Sequence, residues 1–196
     1  HAPNSTNSYY GYNPNDFKIQ HAVQYAYDYA ISTPTAAQCG GSVPPTVPVV
    51  MHLHSWGDNT YDPYLPGQAP DWCATMIWPI DMGETWFFGF AQENDYRVSE
   101  VPGPGDVIQN YTEQRLLRMI YDQMRSPMGP EIDPERIYVK GASMGANGAL
   151  ALALRYPDVF AAAYSSQPMT NLRASTFDDA FFVADAAISW GWPEDE

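Results

Sequence analysis

The sequence predicts an α/β protein in which helices flank a mostly parallel sheet. Three observations support this fold class. The run VPVVMHL, residues 47–53, is almost continuously apolar and lies between turn residues, as in a strand buried on both faces. From residue 110 onwards, helical and strand patterns alternate, which is typical of a parallel sheet. The stretch GASMGANG, residues 141–148, has the glycine spacing of a sharp turn between a strand and a helix.

Length and charge limit the organisation and partners of the chain. Its 196 residues suit one domain, and we expect an N-terminal loop over 1–16 and a single domain over 17–196. The formal net charge is −14, so we expect neither nucleic acid nor an anionic membrane as a partner. No apolar run reaches the roughly 20 residues needed to cross a bilayer. The polar start is typical of a chain that follows a cleaved signal peptide or an internal cut.

The two cysteines, Cys39 and Cys73, lie in segments rich in turn residues and tryptophan. In a secreted protein two such cysteines pair, whereas in another compartment they remain two separate buried thiols. Sequence alone leaves both interpretations open.

The first half of the chain contains predicted strands and a long irregular segment. Residues 17–31 alternate between larger and smaller or polar side chains, which predicts a long or broken strand with one buried face. His21 falls in this strand and is interpreted as a packed core residue. The irregular segment 55–105 is rich in aromatic residues, with short strands predicted at 75–79 and 86–90. We favour packing under loops over a pocket wall for most of these aromatic side chains.

The second half predicts regular βαβ units. Asn110 begins a helix, and Glu113 stands at the spacing of a capping box. Ser126-Pro127 ends this helix. The predicted apolar face of the helix consists of Leu116, Leu117, Ile120, Tyr121 and Met124. The following elements are a turn at 133–136, a strand at 137–140, a helix at about 145–155 and a buried strand at 159–165.

The turn GASMG predicts a serine nucleophile. Gly141 and Gly145 remove the Cβ atoms that would clash in a strained turn between strand and helix. This turn lifts the Ser143 hydroxyl to the carboxyl edge of the sheet, where open α/β folds bind ligands. The backbone N–H of Met144, at the start of the helix, is then placed to bind a developing oxyanion.

The loop after VPVVMHL supplies the second predicted oxyanion donor. This strand runs into HSWGDN, residues 54–59. An oxyanion hole needs a donor from such an earlier strand–loop junction. We assign this donor to the backbone N–H of Trp56, with Ser55 as the alternative, and Gly57 allows the loop to turn tightly.

These segments resemble secreted α/β-hydrolases of the esterase and prolyl-oligopeptidase-like group, including polyhydroxybutyrate-depolymerase-like and feruloyl-esterase-like proteins. The resemblance covers residues 17–170 and is specific at GASMG. VPVVMHLHSWGDN resembles the strand and His-Gly-x-Gly loop of this group, in which the histidine, here His54, shapes the oxyanion loop. The stretch from Asp133 to Pro168 resembles its nucleophile strand, turn, helix and following strand. Ser55 departs from the group, which has glycine there, and this alters the loop but keeps its backbone donors.

The catalytic triad of this fold follows the chain order Ser, Asp or Glu, His. All four histidines of this chain precede Ser143, whereas several carboxylates follow it. We therefore expect the chain to be the N-terminal part of a hydrolase domain, truncated after the nucleophile helix and the following strand. A second chain or a C-terminal segment would then supply the acid and the histidine.

The histidines also allow other interpretations. His54 follows the strand next to the nucleophile strand, so it is considered as an upstream base. His52 and His54, two residues apart, are considered as metal ligands with Asp58. His1 would bind copper only at a mature N-terminus. Neither a metal nor a cofactor is predicted.

The sequence thus predicts a secreted serine esterase that forms an acyl-enzyme on Ser143. The expected substrate is a small-molecule or polymer ester rather than a peptide, a preference that rests on the family resemblance. Two alternatives remain: a non-catalytic binding protein that kept the fold, and a metal-dependent hydrolase that uses His52 and His54.

Overall fold

The computed structural model describes residues 6–7, 29–56, 72–81, 85–91 and 107–168. A six-stranded sheet has the order β1-β2-β4-β3-β7-β8, and β5 and β6 pair separately. Strands β4, β3, β7 and β8 are parallel, while β2 is antiparallel to both β1 and β4. The predicted mostly parallel α/β sheet is confirmed. The elements are β1 (Thr6–Asn7), β2 (Tyr29–Ser32), β3 (Thr46–Leu53), β4 (Thr75–Pro79), β5 (Phe90–Ala91), β6 (Ile108–Gln109), α1 (Tyr111–Arg125), β7 (Glu131–Ala142), α2 (Met144–Arg155) and β8 (Ala162–Ser166).

Both helices pack on one face of the sheet. The connections from β4 to β7 through α1 and from β7 to β8 through α2 cross the sheet in the same direction. Since parallel crossovers are right-handed, both helices are expected on the same face. One buried core indeed joins α1, α2 and alternate residues of β3; it includes Val49, Met51, Leu116, Met144 and Leu152. A smaller cluster, which includes Val50, Met76 and Trp78, lies on the opposite face.

The predicted early strands are largely in place. Strand β3 contains VPVVMHL, and β4 has the predicted bounds, Thr75–Pro79. Of the predicted strand 17–31, the structure describes only its end, within β2, and residues 17–28 lie outside the described part. Within the expected N-terminal loop, Thr6–Asn7 forms a two-residue strand against β2.

The strand predicted at 86–90 is wrong. Residues 86–88 form a turn, in which Trp86 and Phe87 have φ angles of 57° and 58°. The N–H of Phe88 donates to the carbonyl of Thr85 at 3.0 Å. The aromatic run therefore serves to bury Trp86 and Phe87 in the core, as the packing interpretation predicted. Trp72 differs, since it is 45% exposed.

Helix α1 has the predicted start and end but a different apolar face. Leu116 and Ile120 are buried, whereas Tyr121 and Met124 are exposed. The buried side of the helix is rotated towards its polar residues and consists of Thr112, Glu113, Leu116, Met119, Ile120 and Gln123. The predicted capping box is wrong, because Asn110 makes no side-chain capping bond and the Glu113 carboxylate instead accepts bonds from Arg155 and Tyr156.

Strands β7 and β8 differ in detail from the prediction. The expected turn 133–136 is an irregularity inside the longer strand β7, where the register with β3 shifts between Val47 and Val49. The Asp133 carboxylate closes this irregularity by accepting bonds from the N–H of Glu135 and from Arg136. Strand β8 is shorter than the predicted 159–165 and is not buried, since Tyr164 is 66% exposed.

Cys39 and Cys73 form a disulfide, which decides between the two interpretations of the cysteines. The bond joins the loop before β3 to the segment that leads into β4. Within the residues described, neither helix combines the length and hydropathy that a membrane span requires.

Candidate active site

Ser143 lies in a strained turn between β7 and α2. Its φ and ψ angles are 53° and −119°, a region that side-chain-bearing residues rarely occupy. Backbone hydrogen bonds hold it there: its N–H donates to the carbonyl of Ser166 at 3.0 Å, and its carbonyl accepts from the N–H of Ala146 at 2.9 Å. The side chain is partly exposed. A strained, accessible serine at the carboxyl edge of a parallel sheet is the geometry of a nucleophile.

The two glycines of the motif are required by close backbone packing. A Cβ atom on Gly141 would collide with the carbonyl group of Gly145. A Cβ atom on Gly145 would collide with the carbonyl oxygen of Leu53 and lie 2.6 Å from that of His54. The start of α2 therefore lies directly against the end of β3, which brings the turn and the loop after β3 together.

Met144 is the first residue of α2, and its side chain is fully buried. The N–H groups in the first turn of a helix have no acceptor within the helix, and the helix dipole is positive at this end. The burial of the side chain fixes the backbone at this position. The Met144 N–H thus lies next to Ser143 on a rigid element, as an oxyanion donor requires.

The loop after β3 is held by hydrogen bonds on both sides. Ser55 Oγ donates to the carbonyl of Ala142, the residue before Ser143, at 3.2 Å. On the other side, His54 Nε2 accepts from the N–H of Asp81 at 2.8 Å. Trp56 is partly buried and packs against the core. Gly57, the expected turning point of the loop, lies outside the described residues.

The hydrogen bonds of His54 define its protonation state. Because Nε2 accepts a bond, Nδ1 carries the proton and donates it to the carbonyl of Ser55 at 2.7 Å. The ring is buried and packs edge-to-face on Phe87, with 5.0 Å between the ring centroids. Both nitrogens are thus engaged away from Ser143, so this geometry does not favour His54 as its base.

His52 has different surroundings from His54. Its Nδ1 accepts a bond from Trp78 Nε1 at 3.2 Å, on the face of the sheet opposite the helices. Burial lowers the pKa of His52 from 6.5 to about 4, assisted by the positive charge of Lys140. Burial also lowers the pKa of Lys140.

The proposed metal ligands do not form a cluster in the described part of the chain. There, no three side chains of His, Cys, Asp or Glu come together as a metal site would require. Both ring nitrogens of His54 are hydrogen-bonded to protein groups, which also argues against His54 as a metal ligand. Asp58, His21 and His1 lie outside the described residues.

A buried polar network beneath the site was not predictable from the sequence motifs. The carboxylate of Asp81, which is fully buried, accepts bonds from Thr85 Oγ1 at 3.0 Å and from the N–H of Phe87 at 3.0 Å. Thr85 Oγ1 is also bonded to Thr112 Oγ1 of α1 at 2.7 Å. The network holds the Phe87 turn that packs on His54. Its sequence signal was an aspartate two residues after the end of the apolar strand β4.

A second missed group links the two helices. Glu113 of α1 is fully buried, and its Oε2 accepts bonds from Arg155 at 3.2 Å and from the Tyr156 hydroxyl at 3.1 Å. The guanidinium of Arg155 also lies 4.3 Å from the centroid of the Phe88 ring. Burial, and then the nearby Glu113, raise the pKa of Tyr156. The end of α2 is thereby fixed to the start of α1.

Comparisons with known proteins identify a matching family model, a similar sequence and similar structures. Residues 127–196 match the model of the prolyl oligopeptidase family. A stretch of 60 residues is 40% identical to poly(3-hydroxyalkanoate) depolymerase C of Paucimonas lemoignei, covering 31% of this chain and 14% of that protein. The substrate-bound fluorophosphonate-binding serine hydrolase FphF of Staphylococcus aureus matches with a TM-score of 0.53 and 15% identity, over 84% of this chain and 56% of that one. A thermostable esterase matches with a TM-score of 0.49 and 17% identity, over 81% of this chain and 40% of that one.

The likeness to FphF, together with the strand order and the strained serine turn, shows that this chain has the α/β-hydrolase fold. Its predicted similarity to esterases and prolyl-oligopeptidase-like α/β-hydrolases is confirmed. The chain spans 14% of the length of the curated relative, and 40% and 56% of the lengths of the esterase and FphF.

Proposed function

We propose that this α/β-hydrolase-fold chain carries the nucleophile and the oxyanion hole of a serine hydrolase that cleaves carboxylic esters. Ser143 is the nucleophile, and the backbone N–H groups of Met144 and Trp56 bind the oxyanion. A histidine and a carboxylate from outside this chain complete the triad. They belong to a C-terminal segment or to a second chain.

The strained backbone of Ser143 carries this proposal. A non-glycine residue in such a conformation costs on the order of 1–3 kcal/mol and persists only where its surroundings impose it. Here the surroundings are the backbone bonds of Ser143 and the close contact of Gly145 with Leu53 and His54. A turn without chemistry would have no need of a serine at this point, since glycine adopts the same conformation without strain.

The reaction would proceed in two steps. Ser143 Oγ attacks the ester carbonyl carbon while its proton passes to the histidine, and the former carbonyl oxygen becomes an oxyanion. The tetrahedral intermediate collapses, the bond to the alcohol oxygen breaks, and the histidinium gives its proton to the departing alcohol. Water then attacks the acyl-enzyme, with the same histidine as base; the bond between Ser143 Oγ and the acyl carbon breaks, the histidinium returns the proton to Ser143 Oγ, and the carboxylic acid is released. The two backbone N–H groups stabilise the oxyanion in both steps.

An ester in an extracellular setting suits the other features of the chain. The relative from Paucimonas lemoignei is a poly(3-hydroxyalkanoate) depolymerase, which supports a small-molecule or polymer ester over a peptide. The Cys39–Cys73 disulfide is compatible with an oxidising compartment and hence with secretion. The net charge of −14 disfavours nucleic acids and anionic membranes as partners and suits a neutral or cationic substrate.

A fluorophosphonate probe tests this function in the full-length protein that contains this chain. The probe phosphonylates an activated serine, and peptide mass spectrometry locates the adduct. We expect labelling at Ser143, lost in Ser143→Ala. The variant Ser165→Ala is the control, because it removes a serine hydroxyl that donates to the carbonyl of Ala146 beside the same turn.

Other outcomes would favour the rival functions. Absence of labelling in the folded, full-length protein would contradict the serine mechanism and favour a binding protein. Ester hydrolysis that a chelator abolishes and added metal restores would favour a metal-dependent hydrolase.

A further inference from the structure

The hydroxyl of Ser55 links the loop after β3 to the end of β7. The proposed oxyanion donor lies in this loop, and the proposed nucleophile directly follows β7. Ser55 lies two residues beyond Leu53, the last residue of β3 paired with β7, and Leu53 stands opposite Gly141. Its Oγ donates to the carbonyl of Ala142 at 3.2 Å, across 87 positions of sequence. Ala142 immediately precedes the strained Ser143. The bond therefore connects the loop that carries Trp56 to the turn that carries the nucleophile.

The backbone of Ser55 is held independently on its other side. Its carbonyl accepts the Nδ1 proton of His54 at 2.7 Å, and His54 Nε2 accepts from the N–H of Asp81 at 2.8 Å. Asp81 follows β4, while Ala142 ends β7, and β3 lies between these two strands in the sheet. The loop after β3 is thus tied to both neighbouring strands, and the Ser55 hydroxyl provides the side-chain tie on the β7 side.

We infer that Ser55 is a positioning residue, which acts through the backbone N–H of Trp56. Its hydroxyl sets the distance between this N–H and Ser143, so that the N–H meets the oxygen of the tetrahedral intermediate. This inference rests on the proposed function. Alanine or glycine at position 55 keeps every backbone donor but removes the tie, so the loop is free to move away from the turn. Displacements of about 1 Å near a reacting centre cost up to about a hundredfold in rate.

The effect of Ser55 should fall on the transition state rather than on substrate binding. Oxyanion contacts strengthen as charge develops on the carbonyl oxygen, so their loss lowers kcat more than it raises KM. A residue with a merely structural role would lower the stability of the protein without this division between kcat and KM.

The test uses the full-length protein with p-nitrophenyl acetate as substrate and phenylboronic acid as a tetrahedral analogue. For Ser55→Ala we expect kcat to fall about tenfold or more while KM stays within about twofold. The dissociation constant of phenylboronic acid should rise in parallel with the fall in kcat. Ser55→Thr, which keeps a hydroxyl, should restore most of the activity. Ser165→Ala, which loses a similar bond from a hydroxyl to a carbonyl, should keep both constants of the wild-type protein.

The outcomes separate this inference from the proposed function. An active wild-type protein whose Ser55→Ala variant keeps kcat and boronate affinity within twofold overturns the inference and leaves the function standing. If kcat falls no further in Ser55→Ala than in Ser165→Ala, the inference is likewise overturned and the function stands. A folded wild-type protein with no Ser143-dependent hydrolysis overturns both. If Ser55→Ala does not fold, Ser55→Gly provides the same comparison.

Discussion

His54 Nε2 accepts a hydrogen bond from the backbone N–H of Asp81 at 2.8 Å. This bond requires the proton of the imidazole to be on Nδ1, from which it is donated to the carbonyl of Ser55. His54, directly after β3, therefore joins two loops and holds the one that carries Trp56. We assign it a positioning role, distinct from the general base.

Replacing His54 with alanine separates these two roles. We expect kcat to fall about tenfold to a hundredfold, because the loop after β3 loses its anchor to Asp81. The acidic limb of the pH profile of kcat/KM should remain, since the base that must be deprotonated lies elsewhere. The measurement is the pH profile of ester hydrolysis for both proteins. Loss of that limb in His54→Ala would identify His54 as the base.

Gly145→Ala should strongly destabilise the fold. The new Cβ would collide with backbone oxygens of Leu53 and His54, which cannot move without distorting β3. We expect a loss of about 3 kcal/mol or more in the free energy of unfolding. Gly40→Ala is the control: it has a φ of 75° but open space around the new Cβ, so its expected cost is about 1 kcal/mol. Urea unfolding measures both, and equal losses would contradict the steric account.

The stability of the protein should decrease below pH 6.5 because of His52. Its pKa is lowered from 6.5 to about 4 by burial, and its Nδ1 accepts a bond from Trp78 that a protonated ring cannot accept. Between these pH values the unfolded chain binds a proton that the folded chain excludes, so the free energy of unfolding falls as the pH falls. The contribution of His52 is fully present above pH 6.5 and is lost by about pH 4.

The pH dependence of urea unfolding tests the role of His52. We expect His52 to contribute about 1–2 kcal/mol to the change over this window, allowing for its partial exposure. The variant His52→Gln removes the titrating group. Between pH 6.5 and pH 4 its free energy of unfolding should therefore fall by about 1–2 kcal/mol less than that of the wild-type protein. Equal slopes for the two proteins would show that His52 titrates normally in the folded state.

Glu113→Ala tests the link between α1 and α2. The variant removes the acceptor of the bonds from Arg155 and Tyr156 and leaves a cavity at a fully buried position. We expect the free energy of unfolding to fall by about 2 kcal/mol, since Arg155 remains partly in water. The exposed Glu135→Ala is the matched control, with an expected change within about 0.5 kcal/mol. Equal changes in both variants would show that the contacts of Glu113 with Arg155 and Tyr156 do not stabilise the fold.

The sequence predicts the features of this fold that depend on short-range patterns. The apolar run of β3, the bounds of α1 and the glycine spacing around Ser143 are local signals, and the structure places strands, helix and turn there. The face of α1 was not predictable in the same way. It turns Glu113 inwards because Arg155 and Tyr156, more than forty residues away in sequence, offer it hydrogen bonds.

Local sequence patterns also do not predict the contacts between distant segments at the candidate site. HSWGDN identifies a loop, but only the sheet order shows that Ser55 reaches Ala142 and that His54 reaches Asp81. The turn at Trp86 and Phe87 was predicted as a strand because aromatic residues favour strands. The burial of both side chains in the core outweighs this preference, and both residues adopt positive φ.

Trapping the acyl-enzyme tests the central claim most directly. The full-length protein is mixed with p-nitrophenyl acetate, quenched in acid within its first turnover and digested for peptide mass spectrometry. The account predicts one acetyl group on Ser143, its absence in Ser143→Ala, and a burst of p-nitrophenol equal to the enzyme concentration when deacylation is the slower step. Steady hydrolysis by the wild-type protein with an acetyl group on another residue, or equal hydrolysis by Ser143→Ala, would contradict it.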